Sequence, residues 1–161
     1  MAFNPTRLGI VSGIALMAAG AAVSASALLA PLSARAEVFA GIIPGVAAGG
    51  HDVVAYFTQG RPTPGHAQFA WTWNGAIWRF ASAVNREAFM ADPARYAPAY
   101  GGHCAWAAAQ GYKAKGDPAN WRVVDGRLFL NYDARIHARW ERDIPGLVAR
   151  ADLRWPGLRG N

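Results

Sequence analysis

Two dipeptides constrain this chain more than any other feature: Asn74-Gly75 and Asp125-Gly126. Each separates two short runs rich in aromatic and β-branched residues. Phe69, Trp71 and Trp73 alternate before the first, and Trp78 and Phe80 follow it; Trp121 to Val124 precede the second, and Arg127 to Asn131 follow it. Asn-Gly and Asp-Gly accept positive φ at both central positions of a two-residue turn, the geometry that a right-twisted hairpin needs. The pattern predicts two β-hairpins. Ser82 and Asp133 stand where helix N-caps would follow them, each offering a side-chain oxygen to the first free amides. Ile136, Trp140 and Ile144 recur at helical spacing and define a buried stripe.

The remaining elements are shorter. VVAYF, 53–57, reads as a strand from its β-branched and aromatic content. RPTPG, 61–65, is a loop, because two prolines suit neither a helix nor a central strand. A helix is expected to start near His103 and to close at Gly111. A last helix starts at Asp143-Pro145 and its chain exits at Trp155-Pro156. No internal repeat is read. The fold class is α+β: two β-hairpins with several short helices.

The first 36 residues have a different character. Arg7 is followed by an uncharged stretch from Leu8 to Ala34, with Pro31 breaking it and Ala34-Arg35-Ala36 forming an A-x-A site. This is the pattern of a secretory signal peptide, with cleavage after Ala36. The run is rich in Ala, Gly and Ser, so stable membrane insertion is not expected once it is removed. A periplasmic or secreted protein follows, divided into a signal peptide (1–36), an irregular lead-in (37–50), a domain (51–156) and a tail (157–161). The formal charge of +6 drops by two with the loss of Arg7 and Arg35. The single cysteine forbids an internal disulfide, so packing must hold the domain together. Seven tryptophans make that feasible, since each buries a large area. Export and the lack of a dense basic patch speak against nucleic acid.

The segments HDVVAYF (51–57), WRFASAVNREAFMADPARYAP (78–98), YGGHCAW (100–106), GDPANWRVVDGRLFLNYD (116–133) and W-x-x-x-IPG (140–146) together resemble the YHS domain family. The likeness is to its exported single-domain bacterial members. It implies a core like that of the treble-clef folds, and a module that holds a soft transition metal, copper first, through cysteine. The family's metal-type cysteines fall near the first strand and after the aromatic of the second hairpin strand. This chain has Asp52-Val53-Val54 and Phe80-Ala81-Ser82 there, so a four-cysteine site cannot form in one chain.

Cys104 is the residue on which function turns. Placed after Gly101-Gly102 and His103, it falls in the first turn of a helix, where free amides and the helix dipole favour a thiolate. It is a candidate metal ligand with His103 and His51, the two histidines that follow paired glycines. It is equally a candidate nucleophile in a thiol-dependent redox or transfer enzyme, or an inert core thiol in a partner-binding domain. Free cysteine is among the most buried residue types. Asp52, Tyr56 and Tyr100 are further candidates, with amide binding or a hydrogen-bonded hydroxyl as the ordinary role of each. Asn131 reads as a turn residue and His137 as an exposed or capping one. No serine-hydrolase elbow, Walker loop, zincin motif or haem motif is present. A binding module is favoured over an enzyme. N-terminal sequencing of the exported protein is expected to begin at Glu37; a membrane-bound product beginning at Met1 would exclude cleavage.

Overall fold

The computed structural model describes residues 37–160; the expected signal peptide and Asn161 lie outside the described residues. Both hairpins form. β1 (His66–Trp73) pairs with β2 (Ala76–Phe80), and β3 (Asp117–Val124) pairs with β4 (Arg127–Asn131), each in an antiparallel two-stranded sheet. Asn74 and Gly75 sit at φ 51° and 78°, and Asp125 and Gly126 at 49° and 72°. Ser82 Oγ caps α2 (Ala83–Ala91) by accepting from the Asn85 amide, and Asp133 caps α5 (Ala134–Trp140) by accepting from the Ile136 amide. The short helices α1 (Ala55–Thr58), α3 (Pro93–Tyr96) and α4 (Ala105–Gln110), and the longer α6 (Ile144–Leu158), complete the α+β fold.

Contrary to the reading of the sequence, the domain is an internal repeat. The 3₁₀ turn Ala47–Gly50 recurs as Ala99–Gly102, and both contain left-handed residues at matching places: Ala48 (φ 47°) and Gly49 (56°) against Tyr100 (55°) and Gly101 (62°). A histidine in extended conformation follows each turn, and bridges the loop ahead of its hairpin, His51 to Pro64 and His103 to Lys115. The hairpins share one register and one irregularity. His66 faces Phe80 before the shift to Ala70 and Arg79; Asp117 faces Asn131 before the shift to Trp121 and Leu130. After each hairpin comes a capped helix, then a second cap, Asp92 or Asp143, at a proline-marked helix start. What survives between the halves is punctuation (Gly-Gly-His, the turn dipeptides, the caps), whereas the core residues between them differ. Periodicity within elements does not reveal such a repeat.

The packing is duplicated too. Trp78 of β2 lies 4.9 Å from Phe89 of α2, and Phe129 of β4 lies 5.4 Å from Trp140 of α5, ring centre to ring centre. Such pairs contribute roughly 0.5–1.5 kcal/mol beyond area burial. The halves share a core, since Leu128 and Leu130 of the second hairpin pack with Val53, Val54, Trp78 and Phe80 of the first half. The Tyr56 hydroxyl adds a polar link, donating to the Pro118 carbonyl at 2.9 Å.

Three local expectations are corrected. Residues 53–57 form a turn and α1 rather than a strand. A largely buried apolar run is ambiguous between the two, and Asp52 decides it by binding the Val54 and Ala55 amides as a helix cap does. The end of the lead-in packs with the domain, because Val46 is buried and Ala47 and Ala48 lie in the first core. α6 runs through Pro156 to Leu158. The Trp155 ring packs on Tyr100 and His103 at 5.7 and 5.4 Å, which holds the residue before the proline helical despite its steric preference. Among the described residues no helix is long and apolar enough to cross a membrane.

Glycine chemistry separates two kinds of turn. At Gly75 and Gly126 an added Cβ would meet open space, so alanine there is expected to cost only the left-handed penalty, about 1–2 kcal/mol. At Gly101 the Cβ would collide with the Glu37 carbonyl, so Gly101→Ala is expected to cost clearly more. Urea denaturation of the three variants checks the ranking.

Candidate functional site

The repeat makes Asp52 and Cys104 equivalent, and the comparison builds the site. Asp52 is wholly buried. Its Oδ1 accepts from the amides of Val54 (2.9 Å) and Ala55 (3.3 Å), and its Oδ2 from the amide of Ala81 (2.8 Å) and from Asn85 Nδ2 (2.7 Å). Three backbone amides and one side-chain amide thus form a concave anion-binding nest. The carboxylate that fills it joins the 3₁₀ turn, the start of α1, the end of β2 and the first turn of α2. Asp52 has the amide-binding role rather than that of a base.

Cys104 occupies the matching nest of the second half. It is the N-cap of α4, buried at 1% exposure. The backbone amides of Trp106, Ala107 and Tyr132 are the chain counterparts of those of Val54, Ala55 and Ala81, and the Trp106 amide donates to Asn131 Oδ1. Burial raises the thiol's pKa, and the three amides oppose it without overcoming it. The thiol therefore stays neutral, and its Sγ–H points to Asn131 Oδ1 at 3.7 Å. Two substitutions distinguish this nest. Asn131, wholly buried at the end of β4, replaces Phe80; Ile136 replaces Asn85 and brings no donor. Beside Ile136 a cavity of about 230 Å³ opens, walled by Trp106, Tyr112, Tyr132 and Ile136, with Cys104 on its floor and Arg135 at its rim. At the nest of the first half the Asn85 side chain closes on Asp52 instead.

The expected ligand set does not assemble around the thiol. His103 is buried with its Nε2 at 3.0 Å from Glu37 Oε1, and its ring lies between Phe39 and Trp155. Burial lowers its pKa more than Glu37 raises it. Lys113 shares Glu37 at 3.0 Å. His51 keeps its Nδ1 buried without a hydrogen bond. Among the described residues no group of three or more His, Cys, Asp and Glu side chains is placed to hold a metal ion. The residues present therefore do not fit the copper or zinc site that the family resemblance implies. Tyr56 and Tyr100 are core residues with bonded hydroxyls. Tyr100 donates to Asp152 at 2.9 Å, and Asp152 also receives Arg127.

Sequence reasoning missed Asn131 and His137. Asn131 Oδ1 also accepts from the Trp106 amide at 3.2 Å, and its Nδ2 stands 3.1 Å from His137 Nδ1. His137 is half-buried, stacked on Trp140 and 3.4 Å from Glu141. The thiol is thus linked through Asn131 to the His137 imidazole, with no direct thiol–imidazole bond among the described residues. The alignment of Asn131 with Phe80, had the repeat been seen, was the one signal: a polar residue where its counterpart is a core aromatic.

No family model, no curated protein and no solved structure matches this chain. Iodoacetamide alkylation of the folded protein is expected to be slow at neutral pH and to rise only above the ordinary thiol pKa of about 8.5. In denaturant the same profile should fall back to the ordinary range. The sign also sets stability: the unfolded thiol ionises first, so the Cys104 contribution is lost as pH rises past its ordinary value.

Proposed function

We propose that this chain is a small-molecule binding module, and that its site is the cavity above Cys104. The observation that supports this is the asymmetry between the halves. One nest is closed by its own carboxylate and a side-chain amide; the other carries a neutral thiol beneath an open, aromatic-walled space. Ligand pockets of this kind are apolar with a few polar groups that fix orientation. At about 230 Å³ the cavity suits a fragment-sized molecule. Trp106 and Tyr112, edge to face at 6.4 Å, offer a flat or aliphatic body its wall. Arg135 is exposed and has no hydrogen-bond or ion-pair partner among the described residues, so it is free to take a carboxylate. Lys115, over the Tyr132 ring at 5.0 Å, adds a second cation nearby. The ligand class is a small apolar or aromatic acid.

Binding rather than catalysis fits the thiol's surroundings, since its proton is held by an amide carbonyl and no base touches it. The reading keeps export and the likeness of residues 51–156 to YHS domains as part of the proposal. The metal expectation enters only as a competing outcome, with Cys104 as its one soft donor.

The test is titration with benzoate and with neutral benzamide, followed by ¹H–¹⁵N NMR. Benzoate is expected to saturate with shifts at Trp106, Tyr112 and Tyr132, and to bind more tightly than benzamide. Arg135→Gln should weaken benzoate about fivefold, the effect of an exposed ion pair near 1 kcal/mol. Ala114→Leu, which fills the cavity, should abolish both. Absence of shifts with either probe, together with stoichiometric Cu(I) binding lost in Cys104→Ser, would replace this reading with the metal one.

A further inference from the structure

We infer that His137 is a proton sensor for the cavity: its protonation is relayed through Asn131 to the first turn of α4 and loosens the wall that Trp106 forms. The consequence for a ligand rests on the cavity being the binding site, whereas the relay itself rests on hydrogen-bond geometry alone.

The backbone amide of Trp106 fixes every role in the relay. It lies in the first turn of α4, where amides have no acceptor within the helix, and it can only donate. Its acceptor is the wholly buried Asn131, 3.2 Å away, so the oxygen of that side chain must face it; the Cys104 Sγ–H is directed at the same oxygen. Asn131 Nδ2 is thereby turned to His137 Nδ1 at 3.1 Å. An amide nitrogen donates and does not accept. His137 Nδ1 must therefore offer its lone pair, which puts the proton of the neutral ring on Nε2, 3.4 Å from Glu141 Oε1.

An imidazolium carries a proton on both nitrogens. His137 Nδ1–H would then meet Asn131 Nδ2–H, donor against donor. Turning the Asn131 amide relieves His137, but sets Nδ2 against the Trp106 amide and takes the acceptor from Cys104. Turning the imidazole instead leaves Asn131 Nδ2 without an acceptor. Either way a donor inside the protein goes unpaired, which is costly where water does not replace the partner. Trp106 is the residue that answers, because its ring meets Tyr112 in the cavity wall and its place follows the first turn of α4. The other groups around His137 do not undo this. Glu141 favours the charged ring, but it is exposed and its Oε1 is shared with Arg122 at 3.2 Å. Asp133 spends its carboxylate on the Ile136 amide, Trp140 contributes a stacked ring, and Arg135 and Arg139 are exposed on the same helix. Cys104, across Asn131, keeps its proton. Acidification thus opposes the arrangement that shapes the cavity. Affinity falls as pH falls, and by linkage a bound ligand holds His137 in its neutral form.

The test follows the folded full-length protein by ¹⁵N NMR from about pH 8 to about pH 5, the window in which histidine ordinarily changes charge. At the upper end the His137 ring should show the Nε2–H tautomer. On acidification the Trp106 amide and Asn131 Nδ2 resonances should move together with the His137 ring. In His137→Gln, whose side-chain oxygen can accept from Asn131 at either end, that movement of Trp106 should be lost. Benzoate, which remains largely ionised in this window, should bind the wild-type protein at least about fivefold more weakly at the acid end, and bind His137→Gln with little change. An Nδ1–H tautomer at the upper end, a Trp106 amide indifferent to the His137 titration, or the same pH dependence in His137→Gln would overturn the relay. Benzoate bound equally well at both ends would overturn its control of the cavity. Benzoate bound at neither end would remove the ligand reading alone, and the relay would be decided by the Trp106 amide. Should His137→Gln not fold, the tautomer and the Trp106 shift in the wild-type protein decide.

Discussion

The Asp52 carboxylate is the interaction on which the first half depends. A buried charge costs several kcal/mol unless donors replace the water it loses. Here four hydrogen bonds do so, and among the described residues no cation shares the work. Because the donors come from α1, the end of β2 and α2, satisfying one anion brings together three segments that local propensity leaves independent. The helix at 55–58, where composition suggests a strand, is a direct result.

The contrast between the two halves accounts for the rest. The second half repeats the backbone but exchanges the carboxylate for a thiol, Phe80 for Asn131 and Asn85 for Ile136. Each exchange alters the same small volume. The thiol is less polar and stays neutral, its Sγ–H is directed at the asparagine oxygen, and the isoleucine brings no amide of the kind that closes the first nest. Elsewhere the second half is covered more heavily. α6 lies against α4 and carries Leu147 and Ala151 into its core. The segment at 37–39 crosses Gly101, with the Phe39 amide on the Gly101 carbonyl and Glu37 engaging His103, Lys113 and the Gly160 amide. This strap engages His103 Nε2 through Glu37, and leaves His103 Nδ1 buried without a hydrogen bond. Arg127 and Asp152 tie α6 to β4. Arg127's hydrogen bonds are the main reason that Asp152's carboxyl lies below its ordinary pKa.

Much of the fold was legible. The turn dipeptides, the caps at Ser82 and Asp133, the helix start at Asp143 and the Gly111 stop all act within a few residues, through φ preference or a side-chain oxygen reaching the nearest amides. Such effects are written in adjacent letters. Misreadings fell where adjacent letters do not decide. Residues 53–57 are apolar on every side, and Pro156 is overruled by the packing of Trp155. The candidate site was legible only in outline. Cys104 and the paired glycines stand out in the sequence, but the His103 side chain meets Glu37 and it is Asn131 that meets the thiol.

The hairpins, the helix starts and the absence of a disulfide follow from single residues and their immediate neighbours. That Asp52 and Cys104 are counterparts, that Asn131 rather than His103 meets the thiol, and that a cavity opens beside it emerges only once the elements are packed. Those facts depend on groups far apart in the chain converging on one point. Convergence is set by the packing of whole elements, which no local pattern of residues records.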